Sequence, residues 1–146
     1  MDSAVTAEAV NAFYKQHFSR GGAPETVLKV ARDYALLQFQ IDESHLRPGG
    51  YVSGPTQMGL ADSAAYVAVF TRLGIVPMAV TSNLTINFMR PCIGSTVLAE
   101  AKVLKLGRTL AVIEVDVRAE GAAKAASHAV INYALPPSDP AENTSI

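Results

Sequence analysis

The chain has 146 residues, 49% hydrophobic and 17% charged, with 12 basic against 13 acidic side chains and a formal charge of −1. This fits one domain with a substantial core, and the charge balance leaves no basic patch dense enough for a nucleic-acid partner. A single cysteine, Cys92, excludes an internal disulfide and a cysteine-based zinc site.

In chain order, Ala7 to Phe18 reads as a helix with Thr6 as N-cap and Val10, Phe13, Tyr14 and Phe18 as its apolar residues. Gly21-Gly22-Ala23-Pro24 stops it. Thr26–Val30 and Tyr34–Ile41 read as strands, and a breaker-rich loop spans Asp42 to Gly50. Pro55 to Leu73 reads as a long helix, with Ser53 or Gly54 at the N-cap, Pro55 in the first turn and Gly74 just past the end. It is apolar nearly all round, which predicts burial on most sides. Four strands follow. In Val80–Met89, Val80, Leu84, Ile86 and Phe88 are expected on one face and Thr81, Asn83, Thr85 and Asn87 on the other. Thr96–Leu106 should bend near Val103-Leu104, Leu110–Ala119 alternates cleanly, and Lys124–Leu135 is the last strand. This order predicts an α+β layer with a sheet wrapped around the long helix. Residues 1–24 are expected to form an N-terminal helix and linker, 25–135 the main domain, and 136–146 a frayed tail.

Asp62 is the only charged residue between Pro55 and Phe70. A carboxylate in so apolar a helix needs donors or opposite charge, and such carboxylates mark functional sites about as often as they mark buried ion pairs. Gly59 and Tyr66 share its face, and Met58 is close. Just upstream, Gly50-Tyr51-Val52-Ser53-Gly54-Pro55 leads into the helix start, where a backbone N–H can face a bound oxygen. The G-x-S-x-G spacing of a nucleophile elbow is absent, which favours Ser53 as a cap over Ser53 as a nucleophile. His17, His45 and His128 lack metal-ligand spacing, so no metal is expected. Cys92 reads as an apolar filler. Arg90, Lys102, Lys105 and Arg108 form a modest basic group near strand ends that a phosphate would suit. No apolar run is long enough to span a membrane, and no signal peptide is evident, so a cytoplasmic location is expected.

These motifs together resemble the hotdog-fold acyl-CoA thioesterases, in particular the phenylacetate-pathway (PaaI-like) type. The resemblance runs from about residue 25 to 135. It is carried by Gly50, Gly54 and Leu60-Ala61-Asp62, by the strand Thr81 to Pro91, and by Gly107-Arg108-Thr109-Leu110. The family places His-Gly-Gly where Ser53-Gly54-Pro55 stands here, and an asparagine where Arg47 stands.

The resemblance implies an antiparallel sheet wrapped around one central helix. It also implies a homodimer or homotetramer with the site between subunits, Asp62 of one chain facing Gly54 of the other. It casts Asp62 as general base or nucleophile, the Gly54 amide as oxyanion donor, and Thr81 as support for the carboxylate, with Ser53 replacing part of the lost histidine's hydrogen bonding. Arg47, Gly50, Met58, Tyr66, Arg90 and Arg108 are the implied contacts to an acyl-CoA substrate, with coenzyme A present only as part of that substrate. Two rival readings fit the same residues. One is a non-catalytic acyl-CoA-binding protein that has lost the histidine. The other is a hotdog hydratase, for which Asp42-Glu43-Ser44-His45 lacks the required Asn-Pro core.

Overall fold

The computed structural model describes residues 2–18 and 25–137. The Gly21–Pro24 stop and the tail from 138 onward lie outside them.

Helix α1 (Ala7–His17) starts where Thr6 accepts a hydrogen bond from the Ala9 N–H. Its buried residues are Val10, Phe13 and Tyr14. Phe13 meets Phe70 edge-on at 5.8 Å, which ties α1 into the core. Strands β1 (Glu25–Ala31) and β2 (Tyr34–Gln40) form a hairpin. A single 3₁₀ turn (Glu43–His45) and the two-residue strands β3 (Leu46–Arg47) and β4 (Tyr51–Val52) occupy the segment expected as a loop. Helix α2 runs from Gly54 to Leu73. Then come β5 (Val80–Phe88), β6 (Thr96–Leu106), β7 (Leu110–Ala119) and β8 (Ser127–Ala134). The last strand starts three residues later than its sequence pattern predicts.

One six-stranded antiparallel sheet, in the order β1-β2-β6-β7-β8-β5, packs against α2. This is the hotdog arrangement. The four strands after α2 are not a simple meander, because β5 pairs with β8 and β6 pairs with β2. Ala61, Ala64, Ala65 and Ala68 are fully buried on α2. These small side chains let the helix lie close against Ala99, Ala101, Ile113, Val115 and Ile131, all buried.

The bend foreseen near Val103-Leu104 is a β-bulge, where the register slips between Val103 and Lys105. A second bulge corrects the face assignment of β5. Thr81 pairs with Tyr133 and Asn83 with Asn132, so Ser82 is the extra residue. Two β5 residues there oppose one on β8, and the alternation slips by one. Thr81 therefore shares a face with the inward-pointing Tyr133, not with the exposed Asn83, Thr85 and Asn87.

Candidate active site

Asp62 lies in the third turn of α2, half-buried, with two O–H donors on one oxygen. Thr81 donates to its Oδ1 at 2.6 Å and Tyr133 to the same atom at 2.7 Å. The Tyr133 hydroxyl also lies 2.9 Å from the Asp62 carbonyl oxygen. Among the described residues Oδ2 accepts no hydrogen bond, which leaves one carboxylate oxygen for chemistry. Burial first, and then the adjacent carboxylate, push the Tyr133 phenol far above its ordinary range, so it stays a donor at neutral pH. Sequence reasoning missed Tyr133. The available signal was its place in the inward row Ser127, Ala129, Ile131, Tyr133, where a polar-tipped ring requires a partner.

The carboxylate opens on a cavity of about 330 Å³, lined on one side by Tyr66, Pro77, Ala79 and Thr81. Tyr66 donates to the Pro77 carbonyl at 3.0 Å and stacks on Tyr133 at 6.0 Å, fixing that wall.

The other predicted feature is the start of α2. Ser53 is the N-cap. Its Oγ accepts from the Thr56 N–H at 3.3 Å and donates to Thr56 Oγ1 at 2.8 Å. Both capacities of that hydroxyl are engaged in the cap. The Gln57 N–H reaches the Ser53 carbonyl at 3.1 Å, and Pro55 has no N–H. By elimination, the Gly54 amide is the open donor of the first turn. The Phe88 ring covers Gly54, and a Cβ there would stand 3.2 Å from it. Arg47, Tyr51, Gly54, Gln57, Phe88 and Arg90 line a separate groove of about 430 Å³.

The structure thus brings Asp62, Thr81 and Tyr66 to one cavity and Gly54, Arg47 and Arg90 to another. Gly54 and Asp62 are eight residues apart on one helix, about 12 Å along its axis. Gly50 sits exposed in the turn between β3 and β4, with φ +80°. Met58, 38% exposed, and Arg108, in the turn between β6 and β7, line neither of these two spaces. The Arg90 guanidinium is engaged by the Ala125 carbonyl.

Two of the three histidines have polar partners. His45 Nδ1 accepts from the Asp42 N–H at 2.9 Å, and His128 Nδ1 lies 2.7 Å from Asp116. Burial raises the Cys92 thiol and keeps it protonated, as suits a filler. Among the described residues no group of three His, Cys, Asp or Glu side chains is placed to hold a metal, and no helix is long and apolar enough to cross a membrane.

Residues 49–126, which include Gly54, Asp62 and Thr81, match the family model described as the thioesterase superfamily. The chain is 30% identical over 93 residues to the mouse acyl-coenzyme A thioesterase 13, a match covering 62% of this chain and 65% of that protein. The matched stretch in a relative from Saccharolobus solfataricus, a candidate esterase, is 58% of that protein's length. A crystal structure of a candidate thioesterase from Silicibacter sp. TM1040 superposes with a TM-score of 0.83 at 33% identity, covering 94% of this chain and 96% of that one. The PaaI protein of Thermus thermophilus, an N33D mutant, superposes with a TM-score of 0.67 at 26% identity over 86% of this chain and 99% of that one. With the hotdog sheet, the motif placement and a family match over more than half its length, the chain belongs to the thioesterase superfamily.

Proposed function

We propose that the protein hydrolyses acyl-coenzyme A thioesters. The observation that carries this reading is the Asp62 carboxylate, pinned through Oδ1 by Thr81 and Tyr133 with Oδ2 left open at a cavity mouth.

In this reading the thioester oxygen accepts a hydrogen bond from the Gly54 N–H at the positive end of α2. Asp62 Oδ2 takes a proton from water, and the resulting hydroxide adds to the carbonyl carbon. The tetrahedral intermediate holds its negative charge against the Gly54 amide. The C–S bond then breaks, and the coenzyme A sulfur leaves with the proton from Asp62. Thr81 and Tyr133 hold the carboxylate in place throughout. Arg47 and Arg90 border the groove beside Gly54, and in this reading their positive charge meets the phosphates of the coenzyme. Ser53 orders the helix start rather than touching substrate.

The 12 Å between Gly54 and Asp62 within one helix requires that the two come from different chains. Two edges of the sheet are available to a second copy. At β1 the Asn11 side chain donates to the Val27 carbonyl at 3.0 Å and accepts from its N–H at 2.8 Å, occupying that edge. The β5 edge carries no such cover among the described residues, and Val80 and Phe88 on it are 56% and 49% exposed, with Met89 beside them 49% exposed. Pairing at β5 is therefore the arrangement that completes the site.

The test is release of free coenzyme A from a panel of acyl-CoA esters by the purified protein. Turnover by the native chain, lost in Asp62→Asn, supports the assignment. Full activity in that variant overturns it, and tight binding without turnover would mean a binding protein instead.

A further inference from the structure

A donor for the thioester oxygen is only as good as its aim, and the aim of the Gly54 N–H is set from behind. The peptide joining Ser53 to Gly54 is planar and trans, so its N–H points away from its C=O. That C=O accepts from the Gln57 backbone N–H at 3.1 Å, inside the helix, which turns the Gly54 N–H out of the helix start. Gln57 holds the preceding peptide as well, because its side-chain Nε2 donates to the Val52 carbonyl at 3.2 Å. One residue therefore grips the carbonyls of two successive peptides. The Ser53 backbone, at φ −66° and ψ 154°, is the link between them.

The main-chain half of this grip needs no particular side chain, but the Nε2 half does. Gln57 is 4% exposed, and its Oε1 has no hydrogen-bond partner among the described residues. An orphaned buried oxygen costs stability, and a methionine of similar length would fill the space without one. Packing thus gives no reason for an amide here, whereas the donor to Val52 does. The Ser53 hydroxyl does not duplicate it, since both of its bonds go to Thr56, further into the helix. Gln57 lines the same groove as Gly54, Arg47 and Arg90, so its hold acts on the wall that the thioester meets.

We propose that Gln57 is a positioning residue, whose side chain locks the Val52 carbonyl so that the Gly54 N–H keeps its aim at the thioester oxygen. This rests on the thioesterase reading, in which that amide is the oxyanion donor. A preorganised donor stabilises the transition state only while its direction is held, and rocking at Ser53 would spread that direction.

The experiment measures octanoyl-CoA hydrolysis by the full chain. Gln57→Met should lower kcat about 10- to 100-fold, with KM within about twofold of native, because misplacing the donor acts on the transition state. Its melting temperature should stay close to the native one. Gln57→Asn keeps the amide but is one methylene too short to reach Val52, and should show the same split; it decides if the Met variant does not fold. A kcat near the native value overturns the inference, and so does a loss confined to KM. A second readout does not need turnover. Octanoyl-CoA labelled with ¹³C at its carbonyl is bound to Asp62→Asn and its C=O stretch recorded by infrared spectroscopy. The band should lie below that of the free ester, and adding Gln57→Met should reverse most of that shift while the protein stays folded. If the native protein cleaves nothing, the hydrolysis reading fails by itself, and this band then decides. A shift reversed by Gln57→Met upholds the inference, while an unaltered shift, or no band from bound ester, overturns it.

Discussion

Thr81 stands directly across from Tyr133 in the β5–β8 ladder, and the two hydroxyls converge on one oxygen of Asp62. Only the extra residue at Ser82 allows this. Without the bulge, the strand that presents Leu84 and Ile86 toward the helix would turn Thr81 away. The geometry of the carboxylate is thus set by a register slip in a strand far along the chain.

Asp62→Asn keeps the acceptor for Thr81 and Tyr133 and removes the base. We expect kcat to fall by about 10² to 10⁴, with little change in melting temperature. Steady-state thiol release and thermal denaturation together check this. Single-turnover hydrolysis in ¹⁸O-water should leave Asp62 unlabelled after one cycle, because water attacks the thioester directly. Label in the Asp62 carboxylate after repeated cycles would indicate attack by the carboxylate itself.

Ser53→Ala removes the helix cap. The expected loss is about 1 kcal/mol of stability, read by urea denaturation. Its kcat/KM should stay within a few-fold of native. A loss of several orders of magnitude would return Ser53 to the chemistry.

Gly54→Ala places a methyl group against the Phe88 ring, where the gap to a Cβ is 3.2 Å. We expect destabilisation of about 1 to 3 kcal/mol from overpacking. Gly54→Ala combined with Phe88→Ala should recover part of that loss, a coupling measurable by a double-mutant cycle.

Glu25 has its carboxyl raised in the folded chain by burial. The native state therefore binds the proton more tightly than the unfolded state, and the stabilisation is fully present below the ordinary carboxyl range. It is lost as pH rises through the raised value. Glu25→Gln escapes this loss. Its melting temperature should exceed the native one at pH 7, and the difference should shrink as the pH is lowered toward 4.

Val80→Asp combined with Met89→Asp sets like charges along the open β5 edge. Sedimentation should report a smaller species than the native chain, and thioester cleavage should fall with it. A variant that keeps both its native mass and its activity would remove β5 from the subunit seam.

Much of this was legible in the chain. The helix from Gly54 to Leu73 shows itself through Pro55, Gly74 and an unbroken apolar surface, and Asp62 stands out because nothing else on that surface is charged. The role of Thr81 came only from resemblance, because period-two alternation has no means of locating a bulge. Tyr133 and Glu25 were invisible for a different reason. Each lies in an ordinary strand, and each gains meaning only when the sheet curls and brings positions 25, 62, 81 and 133 around one space. The short β3–β4 hairpin was hidden by its own turn, since Pro48, Gly49 and Gly50 dominate the local pattern.

The clasp of Asn11 on the Val27 backbone has a consequence for growth. A chain able to add neighbours at both flanks would build an endless ribbon. In the proposed assembly the Asn11 amide holds Val27 on the β1 flank against such addition, so strand pairing through β5 joins two copies and goes no further.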